Sequence, residues 1–166
     1  MFDRGIDRRR LFQLWVAVFG VNILLESPGI IADVYTYYGK QPLNIWGFPL
    51  WWGFINPLMP MIAGAMIFKL KPHLQNQWAL AGMVIASVPM ADGIANAACG
   101  WPVITALNTD VGYAGTWIAA FITLGLCAMV VWIIGLLVAH PATAAASEPA
   151  RTTTTTPVQP AIPVGV

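Results

Sequence analysis

The stretch AGTWIAAFITLGLCAMVVWIIGLLVA, residues 114–139, holds no charged side chain. An apolar run of about 18 residues or more marks a helix that crosses a membrane, because roughly 20 residues at about 1.5 Å each span a hydrocarbon core of about 30 Å. Working back toward the N-terminus, three further runs of this kind occupy residues 77–98, 49–68 and 11–32. The earliest follows Arg8, Arg9 and Arg10 in the manner of a secretory leader. It outlasts the roughly 7–15 apolar residues of a leader, carries Glu26 and lacks a small-residue cleavage pattern, so it reads as a mature helix. The expected fold is an all-α, integral membrane four-helix bundle over residues 1–140.

Composition points the same way. Of 166 residues, 58% are apolar and 9% charged, against about 25% charged in a soluble domain. That is too little charge for a water-facing surface, and the net charge of +1 gives no basic face for nucleic acid. Cys99 and Cys127 lie in unrelated apolar stretches without metal-ligand spacing. Residues 141–166 are rich in Ala, Thr and Pro, with Glu148 and Arg151 as the charges, and read as a disordered tail.

The cations set an orientation. Arg4, Arg8, Arg9, Arg10, Lys69 and Lys71 fall on one side of the four runs, and Lys40 alone falls on the other. Six against one predicts that both termini and the tail are cytoplasmic, in a multi-pass protein of the plasma (inner) membrane.

Ionisable groups within spans are expensive, about 2.5–3.5 kcal/mol for an acid near a helix centre, and so mark candidate sites. Glu26 and Asp92 each lie 15 residues past the start of their run, which puts them at matching depth. Asn22, Asn56 and Asn96 accompany them, and Asp33 stands at the end of the first run, where headgroup water is near. If the first helix continues far enough, Asn22, Glu26, Asp33 and Tyr37 share one face. Pro28, Pro57 and Pro89 sit at the same level, each removing a backbone donor and freeing a carbonyl. The combination predicts a polar hollow shared by Glu26 and Asp92. Trp51, Trp52 and the tyrosines around it suit an apolar or cationic ligand. Walker, HExxH and GxSxG patterns are missing, so neither cofactor nor metal is expected.

Residues 26–56, ESPGIIADVYTYYGKQPLNIWGFPLWWGFIN, carry a further signal. A Glu within the membrane, a Tyr-x-Tyr pair, and Gly-Phe-Pro-Leu opening a Trp-bearing helix together resemble the membrane carotenoid hydratases. More distantly, they resemble the integral-membrane terpene cyclases. The resemblance implies Glu26 as the helix acid, Tyr35 and Tyr37 as the paired tyrosines, and Pro49 with Trp51 or Trp52 as the start of the next span. It also implies metal-free protonation of an isoprenoid double bond or epoxide. The expected function is acid–base cyclisation, hydration or isomerisation of a lipophilic substrate, with Glu26 as proton donor. Asp92, supported by Asn96, would orient the substrate or take the proton back, and Asn22, Asp33, Tyr37, Trp51, Trp52 and Asn56 would line the site. The alternative is a non-enzymatic subunit or assembly factor of a larger membrane complex. The expected partners are the bilayer, a lipophilic small molecule or lipid, and either a second copy or that larger complex.

Overall fold

A computed structural model describes residues 7–138. The arginines at 8–10 open the first helix, Arg4 lies outside the described residues, and so does the 141–166 tail. Helix α1 spans Arg8–Ile31. A short antiparallel hairpin follows, with β1 at Asn44–Ile45 and β2 at Phe48–Pro49. The second pass is α2 (Leu50–Ile55) and α3 (Leu58–Leu70), continued by a 3₁₀ turn at Lys71–His73. The third is α4 (Gln77–Ala95), a π turn at Asn96–Gly100 and α5 (Trp101–Leu107), and the fourth is α6 (Gly112–Val138). Among the described residues, four helical passes are therefore long and apolar enough to cross a membrane.

One boundary and one expected shared face differ from the sequence reading. The third pass runs on to Leu107 instead of stopping near residue 98. The Trp101-Pro102 pair looks like a stop, yet Pro102 falls in the first turn of α5, where its missing N–H costs least. The first pass ends at Ile31, close to the boundary read at residue 32, and so does not continue far enough to put Asp33 and Tyr37 on the face of Asn22 and Glu26. Asp33 adopts φ 57°, its N–H bonds to the Ile30 carbonyl, and the Val34 N–H bonds to the Gly29 carbonyl. That is a Schellman stop with an aspartate in the left-handed position usually given to glycine or asparagine. Asp33 thus terminates the helix and stays exposed.

The passes run antiparallel, and the start of α1 lies beside the end of α6, where the Arg8 guanidinium stacks 6.0 Å from the Trp132 ring. The core is built mainly between α3, α4, α5 and α6. Along α6 the buried residues include Ala120, Thr123, Cys127, Val131, Ile134 and Val138, a helical stripe of period three to four. On α4 the small side chains of Ser87, Ala91 and Ala95 let α3 come close. Helix α1 is held from the side by aromatics. The Phe19 and Phe54 rings stack at 4.0 Å, and the Trp15 indole N–H bonds to the Phe54 carbonyl at 3.0 Å, beside the proline break between α2 and α3. Gly53 makes this approach possible, because a Cβ there would meet Phe48 at 2.8 Å and Phe19 at 2.9 Å.

Candidate functional site

Glu26 lies one turn before the end of α1, at the end of the bundle distal to Arg8–Arg10. Its carboxyl is the meeting point of three chain segments. From its own helix, one turn back, Asn22 Nδ2 donates to Oε1 at 3.0 Å. From the break after α2, Asn56 Nδ2 donates to the same oxygen at 2.9 Å and to Asn22 Oδ1 at 3.0 Å. From the loop beyond the Schellman stop, Tyr37 and Tyr35 donate to Oε2 at 2.6 and 3.2 Å. Four donors on two oxygens fill the acceptor sites of a carboxylate.

Local sequence explains each arm. The Asn22–Glu26 spacing of four stacks the two side chains on one helical face. The chain reversal at Asp33 returns the loop over α1, and the Tyr35 ring settles on Gly29, where a Cβ would lie 2.8 Å from it. Tyr37 stands edge-on to Phe48 at 6.3 Å and tilted against Trp52 at 6.5 Å. Burial first, then its hydrogen bond to Glu26, holds the Tyr37 phenol above the ordinary tyrosine range. Tyr35 is raised too, by burial and then by the Glu26 charge. Both phenols are therefore donors at working pH.

One atom of the cluster is unfilled. Asn56 Oδ1 is buried and, among the described residues, accepts no hydrogen bond, while the nitrogen of the same amide serves Glu26 and Asn22. A buried acceptor of this kind requires a donor to offset its desolvation.

The structure thus brings together Glu26, Asn22, Asn56 and Tyr37, with Tyr35 and Trp52 at their edge. Trp51 lies deeper, in the core, with its indole N–H on Gln41 Oε1 at 3.2 Å. Asp33 stays outside, at the helix stop. The hollow expected between Glu26 and Asp92 is replaced by two separate polar sites. Helix α1 packs chiefly on α2 and α6, and α4 on α3. Asp92 is exposed on the bundle surface, with Asn96 Nδ2 on its Oδ1 at 3.0 Å. Equal depth placed the two acids at one level, but depth says nothing about the direction in which a helix faces.

Two features had no signal in the sequence. Cys99 and Cys127 are both buried and lie beside each other, although 28 residues separate them. The π turn that includes Cys99 brings α5 and α6 together there, and hydropathy does not reveal such a turn. Gln41, a plain loop residue in the sequence, anchors Trp51. A cleft of about 240 Å³ at the distal end is lined by Lys40, Asp110 and Tyr113, and its walls hold none of the Glu26 cluster. Among the described residues, no group of three or more His, Cys, Asp or Glu side chains gathers at one point. The chain matches no family model, no curated protein and no solved structure.

Proposed function

We propose that the protein is a membrane-embedded acid–base catalyst for a lipophilic, isoprenoid-like substrate, with the Glu26–Tyr37 pair as its proton relay. The observation that carries this reading is the convergence of four donors on one carboxyl beside aromatic walls. In the proton-loaded state, Glu26 gives its proton to the Tyr37 oxygen while the Tyr37 hydroxyl proton passes to the substrate double bond. No phenolate forms, which agrees with a phenol held above its usual range. The carboxylate left behind receives all four donors, and that shell stabilises it as charge appears. Tyr37 and Trp52 offer ring faces to the carbocation. Asn56 Oδ1 takes the remaining donor, a water or a substrate hydroxyl, next to the reacting carbon. Loss of a proton from the product carbocation, or from water added to it, returns the proton to Glu26 and closes the cycle. Asp92 has no step in this scheme.

The cation asymmetry of the sequence supports an orientation with both termini cytoplasmic in the plasma membrane, so that the Glu26 cluster opens toward the outer leaflet. Cysteine-accessibility labelling of the loops tests that orientation. For the chemistry, the protein is extracted in mild detergent and the small molecules retained are identified by mass spectrometry. Glu26→Gln and Tyr37→Phe are then assayed on the identified compound. Loss of turnover in both variants, with folding kept, is expected. Turnover at the wild-type rate in both rejects the relay.

A second reading, a subunit of a larger membrane complex, is favoured by the bareness of α1, of whose apolar window 6% is buried. A stoichiometric larger protein that purifies with the tagged chain supports that reading over the first.

A further inference from the structure

Apart from the Glu26 cluster, the distal cleft of about 240 Å³ brings together charges of both signs. Lys40 comes from the loop after α1, and Asp110 from the turn between α5 and α6. Both are exposed, and among the described residues the one ion pair is Arg10–Asp7. An ammonium and a carboxylate therefore share one opening, and neither is paired.

The Asp110 side of the cleft is crowded with acceptors. The last carbonyls of a helix have no partner inside it. At the end of α5, Asn108 and Thr109 fill those of Ile104 and Thr105. Those of Ala106 and Leu107, two residues that line the cleft, receive no hydrogen bond among the described residues. Thr109 and Thr116 give their hydroxyl protons to the Thr105 and Tyr113 carbonyls at 2.8 and 2.7 Å, which leaves their oxygens as acceptors. From the cleft a ladder of rings descends α6, Tyr113, Trp117 and Phe121, with centroids 6.0 and 6.2 Å apart. It reaches about 12 Å toward the middle of the pass, and Tyr113 and Phe121 are exposed along it.

We propose that the cleft binds the headgroup of a phospholipid that carries a phosphate and a primary amine, as phosphoethanolamine does. The Lys40 ammonium takes the phosphate. The amine gives its N–H donors to the Asp110 carboxylate and to the open oxygens around it. A trimethylated amine has no N–H to give and leaves those acceptors empty, so the site selects the primary amine. The acyl chains then lie along the Tyr113–Phe121 ladder, which a headgroup without chains does not use.

The test uses the full chain in detergent micelles, with lipid occupancy read by native mass spectrometry. Phosphatidylethanolamine and phosphatidylcholine with the same acyl chains are titrated in turn. Wild type is expected to hold the ethanolamine lipid about tenfold more tightly, the effect of one hydrogen bond to a charged group. Asp110→Asn should bring the two lipids within about twofold, because it removes the charge that reads the amine. Lys40→Gln should weaken both lipids several-fold and keep their ratio, because both carry the phosphate. Both positions are exposed, so thermal unfolding of the variants should match wild type. Glycerophosphoethanolamine, the same headgroup without acyl chains, should displace the lipid only in large excess. Glu26→Gln should leave the preference unchanged, which separates this site from the proton relay. Wild-type affinities for the two lipids within about twofold of each other overturn the proposal, and so does an ethanolamine preference that survives Asp110→Asn. Displacement by glycerophosphoethanolamine at equal concentration overturns the lipid as occupant.

Discussion

Removing the Glu26 side chain tests the cluster at its centre. In Glu26→Ala, four hydrogen bonds disappear, from Asn22, Asn56, Tyr35 and Tyr37. The losses are unequal. Asn56 keeps its bond to Asn22 Oδ1 at 3.0 Å, and exposed Tyr35 finds water. Asn22 and half-buried Tyr37 are left without their acceptor. Hydrogen bonds between membrane helices average about 0.6 kcal/mol and reach about 1.7, and a bond to a charged group contributes about 1.5–3. Taking Tyr37 at the charged value and the other three near the average gives a cost of about 3–5 kcal/mol. Glu26→Gln keeps the oxygen that serves both asparagines and should cost about 1–2 kcal/mol. The assay is reversible unfolding of the reconstituted protein by steric trapping in bicelles, run as a double-mutant cycle with Tyr37→Phe. A coupling of about 1 kcal/mol or more between positions 26 and 37 is expected. A Glu26→Ala cost below about 0.5 kcal/mol, or a cost unchanged in the Tyr37→Phe background, refutes the cluster as drawn.

Four other outcomes follow from particular residues. Asp33→Val forces a β-branched residue into φ 57° and should cost about 1–2 kcal/mol, whereas Asp33→Gly should match or exceed wild-type stability in the same unfolding assay. Thr123→Val removes a buried hydroxyl that has no hydrogen-bond partner among the described residues and should raise stability by about 1 kcal/mol. Gly53→Ala places a methyl 2.8–2.9 Å from Phe48 and Phe19 and should cost about 1–3 kcal/mol, seen as faster proteolysis of the α1 segment. The Tyr37 phenol titrates above its unfolded value of 10.0, so the native state holds its proton where the unfolded chain has lost it. Its contribution is complete below about pH 10 and declines as pH rises further toward the folded value. Phenolate absorbance should therefore show a late-titrating tyrosine that Tyr37→Phe removes.

Much of this arrangement is legible in the sequence, for a simple reason. Hydrocarbon thickness imposes a length on each helix, and the four apolar runs record it directly. Intramembrane cost likewise singles out Glu26, Asn22 and Asn56, and the Asn22–Glu26 spacing puts two of them on one face. What the sequence does not carry is azimuth across helices. Asp92 shares the depth of Glu26 in any count from the helix starts, yet α4 turns its small residues, Ser87, Ala91 and Ala95, inward and leaves position 92 outside. Turns set by single backbone angles are equally hidden. The stop at Asp33 brings Tyr37 back to Glu26 through a loop, where helical periodicity would have carried it up the same helix. The Cys99–Cys127 contact depends on a π turn, which leaves no trace in hydropathy.

That turn has a consequence for how the chain can change. A π turn holds one residue more than the α-helix around it, so losing a single codon within Asn96–Gly100 would restore regular winding. The turn absorbs the winding of its extra residue, so α5 would keep nearly the same face toward α6 after such a loss. Val103 and Ala106 would stay packed inside and Trp101 would stay outside. A deletion in the regular turns of α4 or α5 has nothing to absorb it and would rotate everything after it by about 100°. The π turn is therefore the one place in the third pass where the chain can lose a residue and keep its inner and outer surfaces.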